Sequence, residues 1–283
     1  MSSLICVGCG TQYPPTNVPP ARCPICEDPR QFVEPSGQQW IPLERLQKTH
    51  RNVFHKKGVD LWGIGTEPKF AIGQRALLVQ RPQGNLLFDC VSLIDSDTVE
   101  LVNSLGGLTA IAVSHPHFYS SMVEWSHAFG NIPVYLHEDD RMWVQRSDSC
   151  IHFWHGETKP LGDGITLIRL GGHFPGLQVM HWADGEGGEG VLLSSDLPQV
   201  CPDRQHVSFM YSYPNFIPLD AGTVRHVVAA LEPFRFKKVY GGWFGLVVEE
   251  DGEAAIKRSA ERYLKYLENS PNSAKVVSFE KAV

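Results

Sequence analysis

The chain has 283 residues, 42% of them hydrophobic and 20% charged, a balance typical of a globular protein with a sizeable core. The formal net charge of −6 argues against nucleic acid as the main partner, because phosphate binding needs a basic face. The N-terminal residues lack a signal-peptide pattern, and no apolar run approaches the roughly 18 residues that a membrane helix requires. We therefore expect a cytoplasmic protein without a membrane partner.

Two Cys-x-x-Cys pairs lie near the N-terminus, Cys6-Val-Gly-Cys9 and Cys23-Pro-Ile-Cys26, with 13 residues between them. Each pair can direct two thiolates to one tetrahedral ion, and the two pairs together complete a four-sulfur site. The segment is too short and too rich in proline to fold on an apolar core, so we expect a metal ion to hold it. A pair of disulfides is the alternative, and the expected compartment disfavours it.

The run from Cys6 to Tyr13 followed by Cys23-Pro-Ile-Cys26 resembles the short rubredoxin-like domain that ends rubrerythrins. The resemblance covers only about 30 residues, and it implies either iron for electron transfer or zinc for structure, because sulfur ligands suit both metals. We predict a structural zinc here, with iron as the alternative. We assign residues 1–35 to a four-cysteine knuckle, 36–73 to a linker and docking segment, and 74–283 to the main domain.

Strands and helices alternate in the main domain, as hydrophobic period and turn residues indicate. Asp95 is the predicted N-cap of the first helix, and Gly106-Gly107 ends it. The predicted strands span 75–80, 86–89, 108–113, 132–136, 165–170, 177–182, 191–195 and 238–240. The predicted helices span 95–105, 122–129, 223–231 and 253–267.

Polar residues follow three of these predicted strands. His115-Pro116-His117 comes after one buried strand, His173 lies in the glycine-rich stretch Gly171–Gly176, and Asp196 ends another strand. Ligands at strand ends are held by a rigid sheet while the adjoining loops stay open, which suits a catalytic metal site. Pro116 favours a departure from strand geometry that would turn both histidines to one ion. The order and setting of these residues predict a metal site on His115, His117, His173 and Asp196.

The same motifs resemble the metallo-β-lactamase superfamily, and the resemblance runs from Gln74 to Tyr240. It implies a four-layer αββα sandwich, a first metal site on the three histidines with Asp196 bridging, and Asp89 as a carboxylate that orients a ligand histidine. The family motif His-x-His-x-Asp-His is broken here, because Tyr119 and Ser120 replace its Asp-His pair. The resemblance also places Gly241-Gly-Trp243 where a last histidine is expected. The second metal therefore lacks its ligands, and we predict a mononuclear site.

A single zinc ion on three neutral imidazoles lowers the pKa of a bound water to about 7. We therefore predict a hydrolase of an ester, thioester or lactone-type substrate, acting through hydroxide on zinc, with iron as the alternative metal. Tyr119 would either donate a hydrogen bond to a developing oxyanion or pack as a buried aromatic. The alternatives are a mononuclear non-haem iron dioxygenase and a non-catalytic metal-binding protein.

The stretch 208–218 is aromatic and stiffened by proline, and the superfamily resemblance implies that it lines a substrate pocket. His152 and His155 are predicted on a loop, where they would face solvent or supply a general acid. We expect a small, apolar or acyl substrate, and the sequence is compatible with a homo-oligomer. The predicted pocket residues are His155, Tyr211, Tyr213 and Trp243.

Overall fold

The computed structural model describes residues 2–268, and two large β-sheets organise them. The larger sheet has seven strands, which lie side by side in the order Ile151–Trp154, Val134–His137, Ala110–Ala112, Leu86–Phe88, Ala76–Val79, Leu61–Glu67 and Arg51–Lys56. The smaller sheet has six, in the order Thr158–Gly162, Ile165–Arg169, Gln178–Trp182, Val191–Ser195, Lys238–Gly241 and Val247–Val248. Both sheets mix parallel and antiparallel pairs.

Helices connect the strands and cover the outer faces of the sheets. The α-helices span Pro24–Glu27, Leu43–Thr49, Ser96–Ser104, Met122–Ala128, Gly185–Gly188, Ala221–Leu231 and Gly252–Glu268, and 3-10 turns span Pro116–Phe118 and Glu138–Trp143. The Asp95 side chain accepts a hydrogen bond from Thr98 N at 2.8 Å, which confirms the predicted N-cap. Among the described residues, no helix has the length and the apolar content that crossing a membrane would require.

The hydrophobic core is divided into three layers by the two sheets. In the strand Ala76–Val79, Leu77 and Val79 face the second sheet, whereas Leu78 faces the helices on the outer side. This period of two is what a strand buried on both faces requires. Ser96–Ser104 and Met122–Ala128 cover the larger sheet, and Ala221–Leu231 and Gly252–Glu268 cover the smaller one. The predicted αββα sandwich is confirmed.

The N-terminal residues form a small three-stranded sheet, Gln12–Thr16, Ser2–Cys6 and Trp40–Pro42. Cys6 ends one of its strands, whereas Cys23 and Cys26 lie at and in the short helix Pro24–Glu27. Two further strand pairs follow Asp196, namely Gln199–Val200 with Val207–Ser208 and Met210–Ser212 with Ile217–Pro218. The second of these pairs lies within the aromatic stretch 208–218 that was predicted beside the site.

Two assignments from sequence need correction. The stretch 36–73 was expected to be a linker, but Arg51–Lys56 and Leu61–Glu67 are strands of the seven-stranded sheet. Gly63 and Gly65 hide this strand from a hydrophobic pattern, because the Phe244 ring occupies the space that their side chains would fill. His152 was expected on a loop, but it lies in the edge strand Ile151–Trp154, where its side chain is exposed.

Candidate metal centre

The four predicted ligands come from three loops that meet at one end of the sandwich. His115 and His117 follow the strand Ala110–Ala112, and the 3-10 turn that begins at Pro116 turns the second histidine back toward the first. His173 lies in the loop between Ile165–Arg169 and Gln178–Trp182, and Asp196 directly follows Val191–Ser195. All four side chains are buried.

One carboxylate oxygen, Oδ2 of Asp196, lies close to a nitrogen of each histidine. It is 3.0 Å from His115 Nε2, 3.4 Å from His117 Nδ1 and 3.6 Å from His173 Nε2, and the last two nitrogens are 3.3 Å apart. Ligands roughly 2.0–2.1 Å from a tetrahedral zinc ion lie about 3.3 Å from one another. The separations therefore match the edges of one coordination shell, and the donor set fits a single divalent ion.

The ring orientations leave the right nitrogens free for an ion. His173 Nδ1 lies 3.1 Å from the Met210 carbonyl oxygen, which can only accept, so Nε2 keeps its lone pair. His115 Nδ1 lies 2.9 Å from Ser114 Oγ, and that hydroxyl donates onward to Ser195 Oγ at 3.0 Å. His115 therefore also presents Nε2 as an acceptor, as an ion requires.

Asp89 acts on this arrangement through Ser114. Its carboxylate accepts a hydrogen bond from Ser114 N at 2.7 Å, and the next residue along the chain is His115. Burial raises the pKa of Asp89 to about 7. The resemblance implied a carboxylate that orients a ligand histidine, and the contact found here runs through the Ser114 peptide rather than to an imidazole.

Electrostatics favour the protonation states that metal binding needs. Burial lowers the pKa of His115 to about 4 and holds that of His173 well below its usual value, so both imidazoles are neutral at pH 7. Burial opposes ionisation of Asp196, but the close His115 and His117 rings outweigh it and hold the pKa of its carboxyl well below the usual range. Two atoms of the four ligand side chains, His117 Nε2 and Asp196 Oδ1, are buried without a hydrogen-bond partner among the described residues.

The residues at the positions where the resemblance implies a second set of ligands face other groups. The Tyr119 ring packs in the core beneath the larger sheet, and its hydroxyl donates to the Asp140 carbonyl oxygen at 3.3 Å. Ser120 Oγ accepts from Gln74 Nε2 at 3.3 Å. The Trp243 indole donates to the Ile72 carbonyl oxygen at 3.1 Å. Of the two roles predicted for Tyr119, this placement corresponds to the packed aromatic.

The four predicted pocket residues do not form one cluster. The Tyr213 hydroxyl donates to the Asp196 carbonyl oxygen at 2.8 Å, and its ring centroid lies 5.8 Å from that of His173. Tyr211 packs against the Arg30 guanidinium, 5.2 Å from the ring centroid. His155 is exposed on the turn after Ile151–Trp154. Among the four, Tyr213 alone contacts the metal centre directly.

The four cysteines form a second candidate site. Cys6 Sγ lies 3.5 Å from Cys26 Sγ, and Cys9 Sγ lies 3.7 Å from Cys23 Sγ, with all four side chains buried and no disulfide formed. Four sulfurs at the Zn–S distance of roughly 2.3 Å lie about 3.8 Å apart, so these separations fit one tetrahedral ion. The neighbouring cysteines, Cys23 first, raise the pKa of the Cys9 thiol well above its usual value. An ion would remove this obstacle by binding the sulfurs as thiolates.

Residues of the knuckle lie directly against the histidine centre, and the sequence analysis missed them. Arg30 donates a hydrogen bond from Nη1 to the His173 carbonyl oxygen at 2.9 Å, and the Asp28 carboxylate accepts from the same guanidinium. Phe174 lies next to all three ligand rings, with centroid distances of 5.0 to 5.5 Å. The one signal in the sequence was a charged run, Glu27-Asp-Pro-Arg30, immediately after the last cysteine.

Comparison with solved structures places the main domain in the metallo-β-lactamase fold. VMB-1 superposes with a TM-score of 0.57 at 15% identity, covering 76% of this chain and 97% of its own. The DIM-1 metallo-β-lactamase gives a TM-score of 0.53 at 14% identity, with 75% and 98% covered. A flavo di-iron protein from Thermotoga maritima gives 0.53 at 14% identity, with 79% and 64% covered. At these identities the likeness establishes the fold.

No family model matches the chain. At the level of sequence, it is 47% identical over 269 residues to a Bacillus subtilis (strain 168) protein described as uncharacterized protein YmaE, covering 94% of this chain and 97% of that one. The chain belongs to the same protein family as YmaE of Bacillus subtilis.

Proposed function

We propose that this protein is a metal-dependent hydrolase that uses one ion, zinc, on His115, His117, His173 and Asp196. The observation that carries the proposal is the set of distances of 3.0 to 3.6 Å from Asp196 Oδ2 to one nitrogen of each histidine. When bound, such an ion supplies a water nucleophile at neutral pH and polarises a carbonyl group of the substrate. The four-cysteine site would hold a second, structural ion.

The protein's own residues would orient the reactants. Asp196 Oδ1 is buried without a partner, so it is the atom available to accept a hydrogen bond from the attacking water. Tyr213 fixes the main chain of Asp196 from the other side through its hydroxyl. In the superfamily motif an Asp-His pair stands at the positions that Tyr119 and Ser120 occupy here. We propose that Asp196 orients the water in place of that pair.

The surface that continues from Tyr213 supports an apolar substrate. The strand Met210–Ser212 reaches the centre through the Met210 carbonyl oxygen, 3.1 Å from His173 Nδ1, and Phe216 and Ile217, next to and in its partner strand, are exposed. An acyl or aromatic group would contact this surface while its ester, thioester or lactone carbonyl reaches the ion. We therefore propose a small, apolar acyl substrate.

The test is hydrolysis of model thioesters and lactones by metal-stripped and zinc-loaded protein. We expect activity only in the zinc-loaded form, with His115→Ala inactive and with His226→Ala, which changes an exposed histidine on Ala221–Leu231, as the unaffected control. Activity that persists after stripping would exclude the proposal.

One contact favours a second candidate, an iron-dependent oxidoreductase. Trp143 packs against the four-cysteine cluster and, at 5.4 Å between ring centroids, against Phe174, which touches the ligand histidines. A redox-active ion in the knuckle would thus lie one aromatic pair away from the histidine centre. Iron at both sites with oxygen consumption, and no zinc-dependent hydrolysis, would favour this candidate over the hydrolase.

A further inference from the structure

We infer that Arg30 is a positioning residue of the histidine centre, and that the ion of the four-cysteine knuckle strengthens metal binding there by holding Arg30 in place. The inference rests on the proposed metal binding at His115, His117, His173 and Asp196, but not on the identity of the substrate. The residues concerned are Asp28–Arg30, called the anchor segment below, which begin two positions after Cys26.

All three of the Arg30 guanidinium nitrogens donate hydrogen bonds. Its Nε and Nη2 donate to the two carboxylate oxygens of Asp28 at 2.6 and 2.8 Å, and Nη1 donates to the His173 carbonyl oxygen at 2.9 Å. The guanidinium carbon lies 3.8 Å from the centroid of the Phe174 ring. Both charged side chains of the pair are nearly buried, with exposures of 8% and 12%. A planar fork with these contacts has one orientation, which a flexible ammonium would not reproduce.

These contacts act on the loop that carries His173. Gly171 and Gly172 precede the histidine with φ of +66° and +78°, so the loop begins with two residues of wide conformational freedom. Apart from the contacts among the ligands, three hydrogen bonds join this loop to other parts of the chain, from Arg30 to the His173 carbonyl, between His173 Nδ1 and Met210 O, and from Gly176 N to Asp140 Oδ1. Without Arg30, the main-chain carbonyl of His173 loses its hydrogen-bond donor, and the Phe174 ring loses the guanidinium that stacks on it.

The anchor segment is in turn held through Pro29 and through Asp28. The Pro29 carbonyl oxygen accepts from Ser212 Oγ at 2.5 Å and from Asn215 Nδ2 at 2.6 Å, which ties it to the loop beyond Asp196. On the other side, Asp28 N donates to Pro24 O at 3.2 Å inside the turn that carries Cys23 and Cys26. An ion on the cysteines would hold that turn, because four of the six buried residues of this small cluster are the cysteines themselves. Loss of this ion would release the anchor segment, and the His173 loop with it.

The first test compares cobalt(II) binding by full-length variants. Arg30→Met removes the donors but keeps the length, Arg30→Lys keeps the charge and one donor, and Arg51→Met changes an exposed arginine as control. We expect Arg30→Met to weaken cobalt binding at the histidine centre about 10-fold or more and to shift its visible bands. Arg30→Lys should be intermediate, and the thiolate bands of the knuckle and the Arg51→Met variant should be unchanged. Unaltered affinity and spectrum in Arg30→Met would overturn the inference.

The second test uses unmodified protein loaded with zinc at both sites, so it does not depend on the folding of a variant. Blocking the cysteines with an organomercurial releases the knuckle's zinc, and a chromophoric chelator then follows release of the remaining ion. We expect that ion to leave about 10 times faster than in untreated protein, with little further acceleration in Arg30→Met. An unchanged release rate would refute the coupling.

Both readouts are independent of substrate, which separates the two proposals. A protein that behaves as expected in both tests but hydrolyses no acyl substrate would disprove the hydrolase and leave the role of Arg30 intact. A protein that binds no ion at the histidine centre would disprove both.

Discussion

Ser114 joins a buried carboxylate to a ligand histidine through two contacts. Its N–H donates to Asp89 at 2.7 Å, and its hydroxyl lies 2.9 Å from His115 Nδ1. Asp89 itself has a φ of +65°, a left-handed conformation that aspartate and asparagine tolerate better than most residues. The position therefore needs both a short acceptor side chain and this backbone conformation.

Replacing Asp89 tests this orientation. In Asp89→Ala the buried Ser114 N–H loses its acceptor, which should destabilise the fold by about 1–3 kcal/mol and weaken zinc binding about 10- to 100-fold. Asp89→Asn retains an acceptor oxygen and suits the positive φ, so it should lose much less. Chelator competition and urea unfolding would measure both quantities. Equal zinc affinity in Asp89→Ala and the unmodified protein would contradict this role.

Asp140 is a second buried carboxyl, away from the ligands themselves. Its Oδ1 accepts from Gly176 N at 2.8 Å, its Oδ2 has no partner among the described residues, and burial raises its pKa to about 7. Because the pKa of Asp140 in the folded protein lies above the usual aspartate value of 3.8, the folded protein binds a proton here that the unfolded chain has released. This residue should therefore make the protein less stable as the pH rises from about 4 to about 7.

Asp140→Asn removes the titration, and its stability relative to the unmodified protein should rise across that pH range. Between pH 4 and pH 7 the unfolding free energy of Asp140→Asn should rise by about 2 kcal/mol relative to that of the unmodified protein. This figure allows for the solvation that the Asp140 carboxyl retains. Urea unfolding at several pH values would show the difference. A constant difference in unfolding free energy between pH 4 and pH 8 would show that Asp140 does not titrate in this way.

At the scale of elements, the strand Leu61–Glu67 illustrates why part of the sheet escaped prediction. Its partner Arg51–Lys56 lies at the sheet edge and carries charged residues, and Leu61–Glu67 itself contains Gly63 and Gly65. Glycine and surface charge indicate a loop when only local pattern is considered. What stabilises this strand is Phe244, which comes from a distant part of the sequence and packs on both glycines. In contrast, Val191–Ser195 is apolar on both faces, and its predicted bounds are those observed.

Gly65→Ala tests whether this strand is part of the core. A Cβ there would lie 2.4 Å from Phe244 Cε2, so the ring must move, and we expect a loss of about 1–2 kcal/mol of stability. Adding Phe244→Ala should make the Gly65→Ala change nearly neutral, because the obstructing ring is gone. Val59→Ala, at an exposed position in the same segment, is the control. Losses that simply add in the double variant would argue against the contact.

At the scale of the whole molecule, three of the four histidine-centre ligands could be predicted because they follow strands, Ala110–Ala112 of the larger sheet and Val191–Ser195 of the smaller one, which end at the same end of the sandwich. These three are His115, His117 and Asp196. His173 was identified from its glycine-rich stretch and the superfamily resemblance, and the four cysteines from their Cys-x-x-Cys spacing. The docking of the knuckle could not be predicted, because it depends on where Arg30 lies relative to the His173 carbonyl, 143 residues further along the chain. A local sequence pattern contains no information about a contact between residues so far apart in the chain. The prediction that the knuckle is rubredoxin-like stays a prediction.

We infer that the histidine centre holds one ion and that the cysteines hold another. Native mass spectrometry combined with elemental analysis of protein purified without added metal gives the number of ions per chain. We predict two metal ions per chain, with His173→Ala retaining one ion at the cysteines. Three ions per chain, or two ions retained by His173→Ala, would contradict this assignment.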